Sequence, residues 1–146
     1  MNEMGGYDVE DLIVGMRATF SKTITEADIV LFAAVSGDNN AIHINEEFAA
    51  TTRFGGRIAH GMLSAGLISA AIAMQLPGPG SIYVSQALRF TRPVRLGDTI
   101  TARVQITALA SERRRITLAT TCTNQRGEVV ADGEAVVMLD AANERD

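Results

Sequence analysis

One stretch constrains the fold more than any other. From His60 to Leu76 the chain reads HGMLSAGLISAAIAMQL, with no charged residue in it, and the PGPG that follows ends it. A helix of this composition has no solvated face, so it belongs inside a bilayer or inside a protein core. A bilayer span needs about 20 apolar residues, and this run is shorter and is interrupted by Ser64, Gly66 and Ser69. The core is therefore the expected place. Small side chains at Ser64, Ala65, Gly66, Ala70, Ala71 and Ala73 would let a sheet approach this helix closely.

The second half of the chain can supply that sheet. In TITARVQITA, Ile100, Ala102, Val104, Ile106 and Ala108 alternate with Thr99, Thr101, Arg103, Gln105 and Thr107, the period of two of a half-buried strand. RRRITLATTCTNQ puts Ile116, Leu118 and Cys122 on one face, NQRG turns, and EVVADGEAVVML returns. These runs predict an antiparallel meander. SIYVSQALRFTRPV is an earlier strand, ending near Pro93, and RLGDTI turns into the next. The last run is apolar on both faces, with Val129, Ala131, Ala135 and Val137 against Val130, Val136 and Met138. A half-covered strand alternates more cleanly, so a second covered surface, and with it a homodimer, is expected.

The first half has a different texture. TFSKTIT predicts a short strand. TEADIVLFAAVSG predicts a helix that Thr25 and Asp28 open as a capping box and Gly37 ends. NEEFAATTRFGG predicts a second short helix from Asn45. One buried helix and an antiparallel sheet make a two-layer α+β fold. A chain of 146 residues is expected to form one domain, here residues 1–146 with the core over about 16–140.

Charge and cysteine content remove several functions. The formal net charge is -4 and the basic residues are dispersed, which argues against a nucleic-acid partner held through clustered Lys and Arg. The acidic N-terminus MNEMGGYDVEDL lacks the apolar run of a signal peptide. Cys122 stands alone, which excludes an intramolecular disulfide and a Cys-based zinc site. A soluble cytoplasmic protein without a membrane partner is expected.

The chemistry gathers in SGDNNAIHIN, Ser36 to Asn45, and in AHGM, Ala59 to Met62. Asp38 and His43 are too far apart in sequence to share a helical face, but a loop between two helices could bring them together. A carboxylate with an imidazole can hold and deprotonate a water. Alternatively, Asp38 ends a helix and His43 is a satisfied, half-buried histidine. A metal held by Asp38, His43 and His60 is a third reading, without metal-ligand spacing to support it. Gly61 opens the apolar helix, where unpaired N–H groups and positive partial charge suit a developing oxyanion. Equally, His60 and Gly61 could simply start that helix.

SGDNNAIHINEEFAATTRFGGRIAHGMLSAGLISAAI resembles the hydratase motif of the MaoC-like family, above all the single-domain (R)-specific enoyl-CoA hydratases. The likeness continues through LPGPGSIYVSQALRFTRPVRLGDTITARVQITAL and GEAVV, from about Thr23 to Leu139. The family pattern has a Pro where this chain has Ala41, which removes no catalytic group. The resemblance implies a hot-dog fold, an antiparallel sheet wrapped around a long central helix, and a homodimer with active sites near the subunit interface. It implies Asp38 and His43 as the catalytic pair, the N–H of Gly61 as the oxyanion donor and Asn40 as loop support, with Ile42 and Ile44 anchoring the loop to the core.

The implied reaction is reversible hydration of a trans-2-enoyl-CoA to an (R)-3-hydroxyacyl-CoA, with an acyl-CoA thioester as partner and no metal or redox cofactor. A hydroxyacyl-carrier-protein dehydratase, an acyl-CoA thioesterase of the same fold and a non-catalytic acyl-CoA-binding subunit are the alternatives. Gly61, Ala65, Ser69 and Ile72 share one helical face, so Ser69 and Ile72 are expected in the acyl pocket, with Ile72 limiting it to short chains. Arg89, Arg92 and Arg95 flank the end of the RFTRPVR strand and are candidates for the CoA phosphates; a solvated strand edge explains them equally well.

Overall fold

The computed structural model describes residues 1–140, which form a five-stranded antiparallel sheet packed on one helix, the α+β hot-dog arrangement. The strands are β1 (Arg17–Thr23), β2 (Ser81–Phe90), β3 (Thr99–Ala110), β4 (Arg115–Thr123) and β5 (Val129–Leu139), in spatial order β1-β3-β4-β5-β2. The meander expected of the second half is β3 to β5, and β1 and β2 complete it at opposite edges. Gly133 of β5 faces the β2 backbone so closely that a Cβ there would lie 1.9 Å from the carbonyl oxygen of Ala87, so only glycine fits.

The charge-free helix is α4 (Gly61–Met74). Ser64, Leu67, Ile68, Ala71 and Ile72, spaced three and four residues apart, make its buried face. They pack mainly on β1 and β3, in a core that includes Ile100, Ala102, Val104 and Ile106 of β3 with Ala18 and Phe20 of β1 against it. The expectation of burial all round is not met within one chain. Met62, Gly66, Ala73 and Met74 remain exposed, because one sheet covers only one side of a helix. The last strand needs no second layer to explain most of its apolar content. β5 lies between β4 and β2, and the register shift opposite Cys122 and Thr123 lets Val130 be buried beside Ala131.

A long crossover joins β1 to α4 and carries three helices: α1 (Glu26–Ser36), α2 (Ala41–Ile44) and α3 (Glu46–Ala50). Thr25 and Asp28 form the expected capping box, and Gly37 ends α1 in the left-handed conformation at φ 81°. α3 is shorter than the sequence suggests, and its continuation is a series of turns. Among the described residues, no helix is long and apolar enough to cross a membrane.

Candidate active site

The site lies where the crossover meets the N-terminus of α4. Arg57 fastens the crossover. Its Nε donates to the carbonyl of His43 (2.6 Å) and its guanidinium grips Glu26 of α1 through both carboxylate oxygens (2.6 and 3.1 Å). Ala59 N–H donates to Val94 O (2.7 Å), which ties the same segment to the connection between β2 and β3. The carbonyl of Ile58 is thereby placed 2.8 Å from Nδ1 of His43. A carbonyl only accepts, so Nδ1 carries the proton, and in the neutral ring Nε2 is left as an acceptor.

Asp38 follows the αL glycine. The N–H of Asn40 donates to its Oδ1 (3.2 Å). Asn40 also caps α2, its side chain accepting from Ile42 N–H (3.2 Å), and its carbonyl accepts from His43 N–H (2.9 Å). Ala41 therefore stands at the first position of α2, where proline is favoured but the best helix former also serves. Because α2 is one helical turn, Ile42 and Ile44 do not share a face, which corrects their joint role as anchors. Ile44 is 41% exposed, Ile42 is half-buried, and the inward residue is His43, 9% exposed.

His60 completes the cluster. It is 2% exposed, its Nε2 lies 2.9 Å from the carbonyl oxygen of Asp38, and its ring stacks on His43 with centroids 3.9 Å apart and planes 28° apart. Phe32 of α1 also packs on it, with centroids 4.7 Å apart and the planes tilted by 51°. Since Nε2 must donate to that carbonyl, Nδ1 is a bare acceptor, and it is buried without a partner among the described residues. An orphaned buried acceptor costs about 1–3 kcal/mol.

The ligand atoms of Asp38, His43 and His60 all lie within 4.8 Å of one another. The arrangement does not suit a metal. The lone pair of each imidazole lies in its ring plane. Two stacked, near-parallel rings aim them side by side, whereas a metal needs them to converge at about 2.0–2.1 Å.

Gly61, the first residue of α4, has no intrahelical partner for its N–H, and His60 before it makes no side-chain cap. Gly61 lines a cleft of about 420 Å³ whose lining also includes His43, Phe54, Met62, Ser64, Phe90 and Val130. Ser64 and Val130 are its most buried members, which makes them the floor. Phe90 stands over Gly61, so close that a Cβ at position 61 would lie 2.9 Å from its ring.

A match to the MaoC like domain covers residues 13–127. The chain belongs to the MaoC-like family. Within it, this MaoC-like chain is 55% identical over 132 residues to the (R)-specific enoyl-CoA hydratase of Rhodospirillum rubrum, covering 90% of this chain and 91% of that protein. It is 50% identical over 137 residues to the 3-hydroxybutyryl-CoA dehydratase of Methylorubrum extorquens, covering 94% and 87%. The solved structure of the unliganded R-hydratase PhaJ1 from Pseudomonas aeruginosa superimposes with a TM-score of 0.88 at 50% identity, over 92% of this chain and 86% of that one.

The MaoC-like fold thus brings Asp38, His43 and Gly61 to one end of α4, with Asn40 inside the same loop. Ser69 and Ile72 lie further along α4. Ser69 is half-buried and Ile72 belongs to the core, and neither lines the cleft as it stands in one chain. Of the three arginines, Arg92 lines the cleft and pairs with Glu128 at 3.0 Å. Arg89 projects into solvent beside Asp132, and Arg95 lies outside the lining. Arg53, which the sequence did not single out, does line the cleft, over the ring of Phe54. The Arg57–Glu26 clamp was also missed, since two solvated-looking charges 31 residues apart carry no local signal.

Proposed function

We propose that this protein reversibly hydrates a trans-2-enoyl-CoA to an (R)-3-hydroxyacyl-CoA. The observation that carries the proposal is the approach of the Asp38 carboxylate to the His43 ring, a ligand atom of each lying within 4.8 Å of the other, at a cleft that His43 and Gly61 both line; with Nδ1 held by Ile58, His43 offers Nε2 as its acceptor. A water placed between two acceptors gives one proton to each and turns a lone pair toward the cleft.

The thioester carbonyl lies on the Gly61 N–H at the positive end of α4, which makes the β-carbon electrophilic. Asp38 takes one proton of the water while His43 holds the other, and the hydroxyl adds to the β-carbon. The negative charge moves to the thioester oxygen, where the Gly61 N–H stabilises it. The proton taken from the water returns to the α-carbon from the same face, so the elements of one water add and the pair is restored. A thioesterase would instead direct the water at the carbonyl carbon.

Arg92 and Arg53 at the cleft mouth are the residues proposed to meet the CoA phosphates. A second copy of the chain is proposed to complete the site. The free edge of β2 exposes Ile82, Tyr83 and Val84, and carries neither the proline nor the lysine that usually blunts an edge strand. The same strand ends at the cleft residue Phe90. Sedimentation at micromolar concentration should show a dimer; a monomer alone overturns this part.

For the reaction, purified protein and crotonyl-CoA should lose the absorbance of the conjugated thioester without release of free thiol, and the product should be the R enantiomer. Thiol release at the same rate would favour hydrolysis. A large preference for crotonyl-carrier protein would favour the carrier-protein dehydratase.

A further inference from the structure

We infer that His60 is a positioning residue for the catalytic pair, an inference that rests on the hydratase reading. His60 touches neither the cleft nor solvent. One of its nitrogens is committed to the Asp38 carbonyl and the other is buried without a partner among the described residues, so it has no route to a substrate proton. What it does touch is the machinery.

Asp38, Asn39 and Asn40 are all exposed. Among the described residues, every other hydrogen bond they make joins neighbours of the same loop: Ser36, Gly37, Asp38, Asn40, Ile42 and His43. The His60 Nε2–H to Asp38 O is the one that ties the loop to the start of α4, and so to Gly61. It fixes the distance between the base and the oxyanion donor, which belong to different elements. The same ring stacks on His43 and is itself packed by Phe32, and thereby limits the rotation of the imidazole whose Nε2 must face the water. A phenylalanine or leucine would fill this space without orphaning a nitrogen, so packing alone does not explain a histidine there.

The decisive pair of variants is His60→Phe and His60→Gln. Phenylalanine keeps a flat ring against His43 and loses the donor. Glutamine can present an N–H near the place of Nε2 and loses the ring. His60→Phe should lower kcat on crotonyl-CoA by at least about 10-fold while KM changes by less than about 3-fold and the melting temperature holds or rises. That is the pattern of an interaction needed only in the transition state. His60→Gln should recover a large part of the lost kcat. His60→Phe with wild-type kcat, or a loss of kcat that only follows a loss of folded protein in both variants, overturns the inference.

The tautomers provide a reading independent of activity. Imidazole nitrogen NMR should show the proton on Nε2 of His60 and on Nδ1 of His43. The opposite tautomer at His60 overturns the inference even if a variant fails to fold. Wild-type protein that does not hydrate crotonyl-CoA overturns the hydratase reading instead, and leaves the tautomer measurement to decide the His60 contact.

Discussion

Asp38→Asn separates catalysis from stability, and the structure sets both magnitudes. The Asp38 side chain is exposed, forms none of the ion pairs among the described residues, and accepts one bond, from Asn40 N–H at 3.2 Å. An asparagine Oδ1 still accepts that bond, more weakly for want of the carboxylate charge. Its other atom becomes an NH₂ donor, so the water site loses one of its two acceptors. A lost general base typically removes about 10²–10⁴ in rate, or about 2.7–5.4 kcal/mol of transition-state stabilisation. The effect on folding runs the other way. Asp38 lies just past the C-terminus of α1, where a negative charge opposes the helix dipole by about 0.3–1 kcal/mol. Removing it should leave the melting temperature unchanged or raise it by up to about 4 °C for a chain of this size. The assay is the initial rate on crotonyl-CoA beside a thermal melt of the same sample. If the variant keeps more than about a tenth of the activity, Asp38 is not the base. If activity and melting temperature fall together, the loss is structural.

Gly61→Ala should cut activity at least about 10-fold with stability changed by no more than about 1 kcal/mol, because the methyl displaces the half-exposed Phe90 ring at the carbonyl's entry; the double variant with Phe90→Ala should recover part of the rate, and an unaffected Gly61→Ala removes Gly61 from the oxyanion site. Cys122 is fully buried and burial pushes its thiol up to about 12, so it should resist thiol reagents until the protein unfolds. Since the folded state keeps that proton after the unfolded thiol has lost its own, stability should fall as pH rises from about 9 to about 12; a denaturation midpoint that drops no more in wild type than in Cys122→Ala over this window contradicts the assignment. Ile72→Ala should cost about 2–5 kcal/mol of stability, as for any large core residue, measured by urea denaturation. A variant that also gains activity on longer enoyl-CoA chains would place Ile72 at the end of the acyl pocket.

What could be read from the sequence was whatever a local pattern records. The alternation in β3 and β4, the capping box at Thr25 and the charge-free α4 each state their own structure within a dozen residues. Spacing made Asp38 and His43 candidates, and the resemblance singled them out. The supporting contacts carry no such record. Arg57 meets Glu26, and His60 meets Asp38 and stacks on His43, only after the crossover has folded back on itself. The exposed stripe of α4 also escaped, because composition reports that a helix needs cover and says nothing of whether its own chain provides all of it.

Both histidines take their orientation from main-chain oxygens, His43 from Ile58 and His60 from Asp38. A carbonyl is present whatever side chain the residue bears. Replacing Ile58, or exchanging Asp38 for any other residue, leaves the acceptor where it was as long as the backbone path holds. The proton arrangement of the two rings is therefore buffered against substitution at the positions that enforce it. A side-chain scan will find the histidines and pass over what directs them; only changes that bend the backbone at these two positions, such as proline, will reveal it.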